Sequence, residues 1–205
     1  MNYLKDMTGK EKAEYIWDYY KIYIIVGIIA IIFTISIVNS QLTKQETIFN
    51  LTYMGTVKDD SKEADFEKEL TALVGNEGDK RKIAVIDNLP INNVQEATQG
   101  VNSQFMQKFV AEVSVGDIDL IVMDKSNFES LKNNEMLLRL DNIEGIDLKY
   151  AEYDDNHKEA YAVNVENSNK LKGAGLDTKN KVLAVMKSSK RMDKDLKVIN
   201  WLLED

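Results

Sequence analysis

The feature that most constrains this chain is an unbroken apolar run close to its N-terminus. Residues Ile22–Val38 include no charged residue and no proline. With the residues at its two edges, the run reaches about 20 residues, the length of an α-helix that crosses the hydrocarbon core of a bilayer. Its many isoleucines are poor helix formers in water, but in lipid the backbone must close its hydrogen bonds within the segment. We therefore predict a transmembrane helix over residues 21–40.

A cleaved signal peptide is the alternative explanation of this run, with Val38-Asn39-Ser40 as the cleavage site. The run is longer than the apolar core of a usual signal peptide. The segment before it is as acidic as it is basic, whereas a signal peptide begins with a positively charged region. Both observations favour a retained membrane anchor.

Lysine is more frequent before the span than after it. The positive-inside rule counts Lys and Arg near a span and places the richer side in the cytoplasm. We therefore expect residues 1–20 to form a cytoplasmic leader and residues 42–205 to lie outside the cell. The lysines counted are Lys5, Lys10, Lys12 and Lys21 before the span and Lys44 after it.

Aromatic residues gather where the leader enters the span. Tyr15, Tyr19 and Tyr23 recur every fourth residue and so share one side of a helix, and Trp17 and Tyr20 lie among them. One interpretation is an interfacial belt that fixes the depth of the helix in the bilayer. The other is a docking face for another integral membrane protein. The belt is the simpler explanation, and the docking face is kept as a hypothesis.

The composition excludes several classes of function. The chain has no cysteine, which excludes disulfides, thiolate nucleophiles and cysteine-based metal sites. Its net charge of −8 arises entirely after residue 41, and an acidic domain lacks the clustered Lys and Arg that nucleic acid requires. The only histidine, His157, lies in an acidic loop without a nucleophile, phosphate-binding or metal-binding motif. We expect no enzyme activity, no catalytic residue, no metal and no cofactor.

After a polar linker at residues 41–46, the chain alternates between strand and helix patterns over residues 47–205. The strands are short runs rich in β-branched and aromatic residues, and the helices carry one apolar face. Such alternation with buried strands predicts an α/β domain with one mostly parallel sheet and helices on both faces. Strands are predicted at residues 47–54, 82–86, 118–123, 161–165 and 181–186, and helices at 61–74, 94–113, 125–133, 168–174 and 192–203.

Small and polar residues follow three of the predicted strands. Ligands of open α/β sheets bind beyond the carboxyl ends of the strands, so any ligand site of this domain is predicted there. The same residues would also serve as ordinary turns that leave the strands. They are Gly55 and Thr56 after the first strand, Asp87 and Asn88 after the second, and Asp124, Lys125 and Ser126 after the third.

Several segments of the domain follow one family pattern in their order and spacing. Val115–Asp124 has a Gly-Asp-aliphatic-Asp run that leads into a strand ending in Asp, and Leu137–Asp141 follows as a Leu-x-Leu-Asp return. Tyr161–Val165 is similar to a strand usually written Tyr-Gly-aliphatic-Pro, with Ala and Asn in place of Gly and Pro. Together with residues 182–202, these segments resemble the extracellular solute-binding proteins of ABC importers, which have the type II periplasmic-binding fold. The likeness extends over most of residues 47–205.

The resemblance implies a two-lobed clamshell that closes around its solute and works with a membrane permease. This chain departs from it, because only about 20 residues separate Asp141 from Tyr161, where the family carries its second lobe. We therefore expect a single lobe that acts as an accessory or sensor subunit of a membrane complex.

The alternative is a genuine substrate-binding component that completes its cleft by pairing with another chain. In either case the resemblance implies the cell membrane of a Gram-positive bacterium as the location. The expected partners are the lipid bilayer and another integral membrane protein such as an ABC transporter permease.

Overall fold

The computed structural model describes residues 8–55, 60–75, 81–91, 102–141, 143–146, 148–153 and 159–204. The chain divides into two compact units, residues 1–44 and residues 45–205. The first unit consists of helix α1 (Gly9–Thr43), which has 35 residues and is therefore about 52 Å long. Within the described part of the chain, its segment Trp17–Ser40 is the one candidate membrane span. That segment begins four residues before the predicted span.

The second unit is an α/β domain, as predicted. Two residues, Lys44 and Gln45, separate its first strand from α1, so helix and strand both extend into the predicted linker. In chain order its elements are β1 (Glu46–Met54), α2 (Asp60–Val74), β2 (Lys82–Leu89), α3 (Asn102–Val115), β3 (Leu120–Asp124), α4 (Lys125–Asn133), β4 (Ala151–Tyr153), β5 (Ala160–Asn164), α5 (Asn169–Gly173), β6 (Lys181–Val185) and α6 (Met192–Leu203), with a 3-10 turn (Leu148–Tyr150) before β4.

The six strands form one sheet in the order β2-β1-β3-β6-β5-β4. β1 pairs in parallel with β2 and β3, whereas the pairs β3–β6, β6–β5 and β5–β4 are antiparallel. The predicted mostly parallel sheet is therefore a mixed sheet in which four strands run one way and β4 and β6 run the other. The joining segments explain the difference: residues 154–159 are too few for a parallel crossover between β4 and β5, and the only helix between β5 and β6 has five residues.

Apolar clusters cover both faces of the sheet, which confirms the prediction of helices on both sides. Helices α2, α5 and α6 pack on one face, and α3 and α4 pack on the other. The burial of large side chains in the two layers is the main source of stability. Buried helix residues are Phe66, Leu70, Val74, Leu171, Val198, Ile199 and Leu202 on the first face, and Phe109, Phe128 and Leu131 on the second.

Helix α2 also covers the outer edge of β2, the edge strand next to β1. Thr71 Oγ1 accepts a hydrogen bond from the Ala84 backbone N–H at 2.8 Å, and Glu67 Oε1 accepts one from the Ile86 N–H at 2.9 Å. Four residues of a helix rise about 6 Å and two residues of a strand about 6.6 Å, so these side chains match alternate backbone groups of β2. These two N–H groups are therefore not free to pair with a strand of another chain.

We predict that Thr71→Val weakens the domain by about 1–3 kcal/mol, because the buried Ala84 N–H loses its acceptor while the shape of the side chain is kept. Urea unfolding of the full-length chain in micelles, followed by Trp201 fluorescence in a Trp17→Phe background, measures the change. Thr71→Ser keeps the hydroxyl and is the matched control. Equal stability of the two variants would contradict a role for this hydrogen bond.

Candidate functional site

The point where the strand order reverses lies at β1. The chain passes from β1 to β2 on one side and then to β3 on the other, so a crevice is expected beyond the carboxyl ends of β1 and β3. β6 runs antiparallel to β3 and begins at this edge, where Lys181 is the register partner of Asp124. The crevice is therefore bordered by the end of β1, the end of β3 and the start of β6.

A lysine side chain fills this crevice. Lys181 is only 5% exposed, and its Nζ donates hydrogen bonds to the Met54 carbonyl oxygen at 2.8 Å and to Asp124 Oδ2 at 3.0 Å. The same ammonium lies 5.2 Å from the centroid of the Tyr53 ring, within the range of a cation–π contact. The Lys181 ammonium is therefore held by the Asp124 carboxylate, the Met54 carbonyl dipole and the face of the Tyr53 ring.

Tyr53 is fixed by its own contacts. It is 1% exposed, and its hydroxyl donates to the Asp177 backbone carbonyl at 3.0 Å. Burial raises the pKa of this phenol, and the charge of Asp177 raises it further, so the ring stays neutral. The next glycine, Gly55, has a φ of +154°, and a Cβ there would lie 2.6 Å from the Tyr53 ring. A side chain at position 55 would therefore displace the ring from the lysine.

The other predicted residues at the end of β3 also bind within the chain. Asp124 precedes the first residue of α4, but its carboxylate makes no side-chain cap and turns to Lys181 instead. Lys125 Nζ lies 2.7 Å from Glu152 Oε1 of β4, and the Asn164 amide donates to the same oxygen at 3.0 Å. Ser126 is exposed. The structure therefore brings Asp124 to the crevice and ties Lys125 to the far strand of the sheet.

Asp87 and Asn88, at the end of β2, point to opposite faces of the sheet because consecutive strand residues alternate. Asp87 faces α3, where Lys108 Nζ lies 2.5 Å from its Oδ1, and Asn88 faces α2, where its amide donates to Glu63 Oε1 at 2.8 Å. They do not converge with Asp124 on one ligand position. Thr56 lies outside the described residues.

A partly buried acidic pair, Asp87 and Glu112, lies between β2 and α3. Glu112 Oε1 is 3.7 Å from Lys108 Nζ, which also bonds Asp87. The inner oxygens of both carboxyl groups, Glu112 Oε2 and Asp87 Oδ2, are buried without a hydrogen-bond partner in the described structure, as is the hydroxyl of Thr52, the register partner of Asp87. Burial raises the pKa of Glu112 to about 7, with a further increase from the charge of Asp87 and a decrease from Lys108. With a proton on Glu112, the charges of the two carboxyl groups and of the Lys108 ammonium sum to zero.

Two further expectations from the sequence concern His157 and a metal centre. His157 lies outside the described residues, so its predicted lack of a catalytic role stays a prediction. Within the described ranges, no three His, Asp or Glu side chains are grouped to hold a metal ion. Of the pair Asp117 and Asp119, only Asp119 is buried; the side chain of Asp117 is 54% exposed.

The aromatic residues of α1 form a continuous ladder. The rings of Tyr15 and Tyr19 are stacked with centroids 6.2 Å apart, Tyr19 meets Tyr20 edge-on at 5.0 Å, and Tyr20 lies 6.4 Å from Tyr23. All four rings and Trp17 are exposed in this chain. The ladder agrees with both interpretations, an interfacial belt and a docking face.

Several of these residues were not anticipated from the sequence, although each left a signal. Lys181 is a lone charge at the start of a fully apolar strand. Glu112 follows Phe105 and Phe109 by seven and three residues, which places it on the apolar stripe of α3. Asp195 lies three, four and seven residues before buried Val198, Ile199 and Leu202, on the apolar stripe of α6. A charged residue on an apolar stripe indicates a buried polar contact.

Comparisons with known proteins give a distant and partial likeness. No protein-family model and no curated protein matches the chain. Among solved structures, it is similar to an extracellular solute-binding protein family 1 from Alicyclobacillus acidocaldarius, with a TM-score of 0.36 and 16% identity over 58% of this chain and 28% of that one. It is also similar to the substrate binding domain of a putative molybdenum ABC transporter from Clostridium difficile, with a TM-score of 0.37 and 13% identity over 78% of this chain and 93% of that one.

The chain spans little more than a quarter of the length of the first structure. Neither likeness assigns a ligand or a partner to this chain.

We predict that Glu112→Gln flattens the pH dependence of stability. The pKa of Glu112 lies above the ordinary 4.5 in the folded state, so the folded chain binds an extra proton between pH 4.5 and 7. Stability therefore falls as pH rises through that window, and solvent screening of this partly exposed group keeps the fall below the full value of the shift. Unfolding in urea at pH 5, 6, 7 and 8 measures the slope. Glu69→Gln, at an exposed position of α2, is the control, and parallel slopes for the two variants would contradict the assignment.

Proposed function

We propose that the chain is a non-enzymatic, membrane-tethered module whose α/β domain lies on the extracytoplasmic side, as an accessory or sensor subunit of a membrane complex of the ABC-transporter kind. The domain resembles a single solute-binding lobe in sequence. The observation that carries the proposal is the position of Lys181, because its ammonium occupies the crevice where an open α/β sheet would bind a ligand.

A free solute would have to displace this ammonium. Breaking a buried ion pair by removing one partner costs about 3–5 kcal/mol, because the other charge is left without compensation. Asp124 is partly exposed, at 38% of its side chain, so the cost falls towards the lower end of that range. A loss of about 3 kcal/mol weakens a micromolar ligand by roughly a hundredfold. Tight capture of a small solute at this point is therefore unfavourable.

A second argument comes from the size of the domain. Residues 45–205 form one compact unit, and a clamshell needs two lobes to surround its solute. Ligand pockets bury most of the surface of a small ligand, which one lobe contacts from one side only. The exposed crevice edge is then better suited to contact with another protein than to capture of a solute.

The membrane helix supplies a second place for partner contact. We propose the ladder Tyr15, Tyr19, Tyr20 and Tyr23, with Trp17 beside it, as the part of α1 that meets an integral membrane protein. Its support is the ring-to-ring continuity over two turns, which presents a rigid aromatic surface. The excess of lysine before the span supports a cytoplasmic N-terminus and an outer domain.

We predict that the full-length chain in nanodiscs shows no thermal shift with amino acids, sugars, short peptides or metal ions. Lys181→Met is expected to lose about 2–4 kcal/mol of stability and to regain part of it with small alkylammonium ions, which bind the freed oxygens of Met54 and Asp124. Lys179→Met, at an exposed position two residues earlier, is the control.

A sub-micromolar ligand of the unaltered chain would contradict this prediction. It would also promote the alternative function, a genuine substrate-binding component that pairs with another chain. If an alkylammonium ion stabilises the unaltered chain as strongly as it stabilises the Lys181→Met variant, the claim that Lys181 fills the crevice is contradicted.

We further predict that protease added to intact cells or spheroplasts digests residues 42–205 and leaves the leader protected. The physical reason is the lysine asymmetry across the span, which retains the N-terminus in the cytoplasm. Immunoblotting with tags at the two termini measures the result, and lysed cells are the control for cleavage of both ends. Full protection of the C-terminal tag in intact cells would contradict the proposed topology.

A further inference from the structure

The start of α6 holds a fully buried carboxyl group that the proposed function does not use. Asp195 and Asp119 are both 0% exposed, and the Ser189 hydroxyl lies between them. Ser189 Oγ is 2.7 Å from Asp195 Oδ2 and 3.2 Å from Asp119 Oδ1. Two carboxyl groups thus share one hydroxyl in the interior of the domain.

The number of hydrogens at this cluster decides which carboxyl group is charged. Asp119 Oδ2 already accepts from the Asn50 N–H at 2.8 Å and from Arg191 Nη1 at 2.7 Å, so Asp119 is the ionised partner. Asp195 has one contact, with Ser189, and its Oδ1 has no hydrogen-bond partner in the described structure.

A serine hydroxyl has a single hydrogen, so it cannot donate to both carboxyl groups. A proton on Asp195 solves this shortage, because Asp195 then donates to Ser189 Oγ and Ser189 donates to Asp119. Ser189 Oγ also accepts from the Arg191 backbone N–H at 3.2 Å, which uses its second lone pair.

We propose that Asp195 is a proton-binding site through which the surrounding pH sets how firmly α6 is held on the start of β1. The link between the two elements is direct. Lys194 Nζ donates to the Ile48 carbonyl at 3.0 Å, and Arg191 Nη2 contacts the Thr47 carbonyl at 3.5 Å. Only two residues, Lys44 and Gln45, lie between the end of α1 and the start of β1, so the proton site acts on the strand that follows the membrane helix in the chain.

The charged groups around Asp195 determine the direction of the effect. Burial raises the pKa of Asp195 to about 7, the Ser189 contact lowers it, the charge of Asp119 raises it and that of Arg191 lowers it. Lys194, on the same turn, has a pKa lowered by burial and by Arg191, with Lys82 and Glu46 as further neighbours. The N-terminal position on α6 favours the ionised form of Asp195, by less than about one pKa unit.

The pKa values of Asp195 in the open and folded forms determine whether acid tightens or loosens the attachment of α6. The folded chain holds a proton on Asp195 that the open form releases between pH 3.8 and about 7. The attachment of α6 is therefore tightest at acid pH, weakens about tenfold for each pH unit up to 7, and changes little above 7. If the domain lies outside the cell, as proposed above, acidification of the medium tightens this attachment. The proton site itself does not depend on that location.

The test is a carboxyl titration of the full-length chain in micelles. We expect the side-chain carbon signal of Asp195 in ¹³C-aspartate-labelled protein, assigned from Asp195→Asn, to titrate near pH 7. Asp193, exposed on the first turn of the same helix, provides the internal reference. Titration of Asp195 below pH 5 would overturn the proposal, whatever the outcome of the partner and topology experiments.

Amide hydrogen exchange of α6 provides the second measurement. After correction for the intrinsic pH dependence of exchange, we expect the opening of α6 to increase about 50-fold between pH 5 and 7. Asp195→Asn should abolish this increase, and the matched Asp193→Asn should retain it. An equal pH dependence in all three chains would overturn the coupling to α6. If Asp195→Asn fails to fold, the exchange of the unaltered chain decides the result: an opening of α6 that does not increase between pH 5 and 7 would overturn the coupling.

Discussion

The structure depends on β1. Among the described strands, β1 alone has a parallel partner on each side, and both of its faces are covered. Its residues from Phe49 to Met54 are all buried, so every backbone group that they carry must find a partner inside the domain. β2 and β3 supply those partners along its length. At its end the Met54 carbonyl takes the ammonium of Lys181, and at its start the Ile48 carbonyl takes that of Lys194.

Polar side chains point into the domain at both ends of the strands. At the carboxyl edge, Lys181 and Asp124 fill the crevice between β1 and β3, and at the amino edge Asp119 and Arg191 join the start of α6 to the sheet. Buried ion pairs contribute little net stability, since desolvation offsets most of their attraction. At the crevice they engage Asp124 and the Met54 carbonyl, the polar groups that a ligand would contact there, which is why the proposed function relies on contact surfaces rather than on a pocket.

Mixed strand direction and the covered edge of β2 have related consequences. Because β6 runs antiparallel to β3, its first residue, Lys181, lies at the carboxyl end of β3. In a parallel strand, the last residue would lie there instead. Side chains of α2 accept hydrogen bonds from the Ala84 and Ile86 N–H groups of β2. The sheet therefore offers neither an open crevice nor an open β2 edge, although both are expected of an isolated α/β lobe.

Local patterns in the sequence were sufficient for the apolar span, for the α/β class and for the approximate position of α2 and α6, since periodicity and capping act within a few residues. They placed Asp87, Asn88 and Asp124 at strand ends, but not the faces to which these residues turn. The direction of β4 and β6, the lysine in the crevice and the protonated state of Asp195 were decided by tertiary structure. Each depends on contacts between residues distant in the chain, such as Met54 with Lys181 and Asp119 with Ser189, and on burial, which changes the energy of a charge only after the domain has folded.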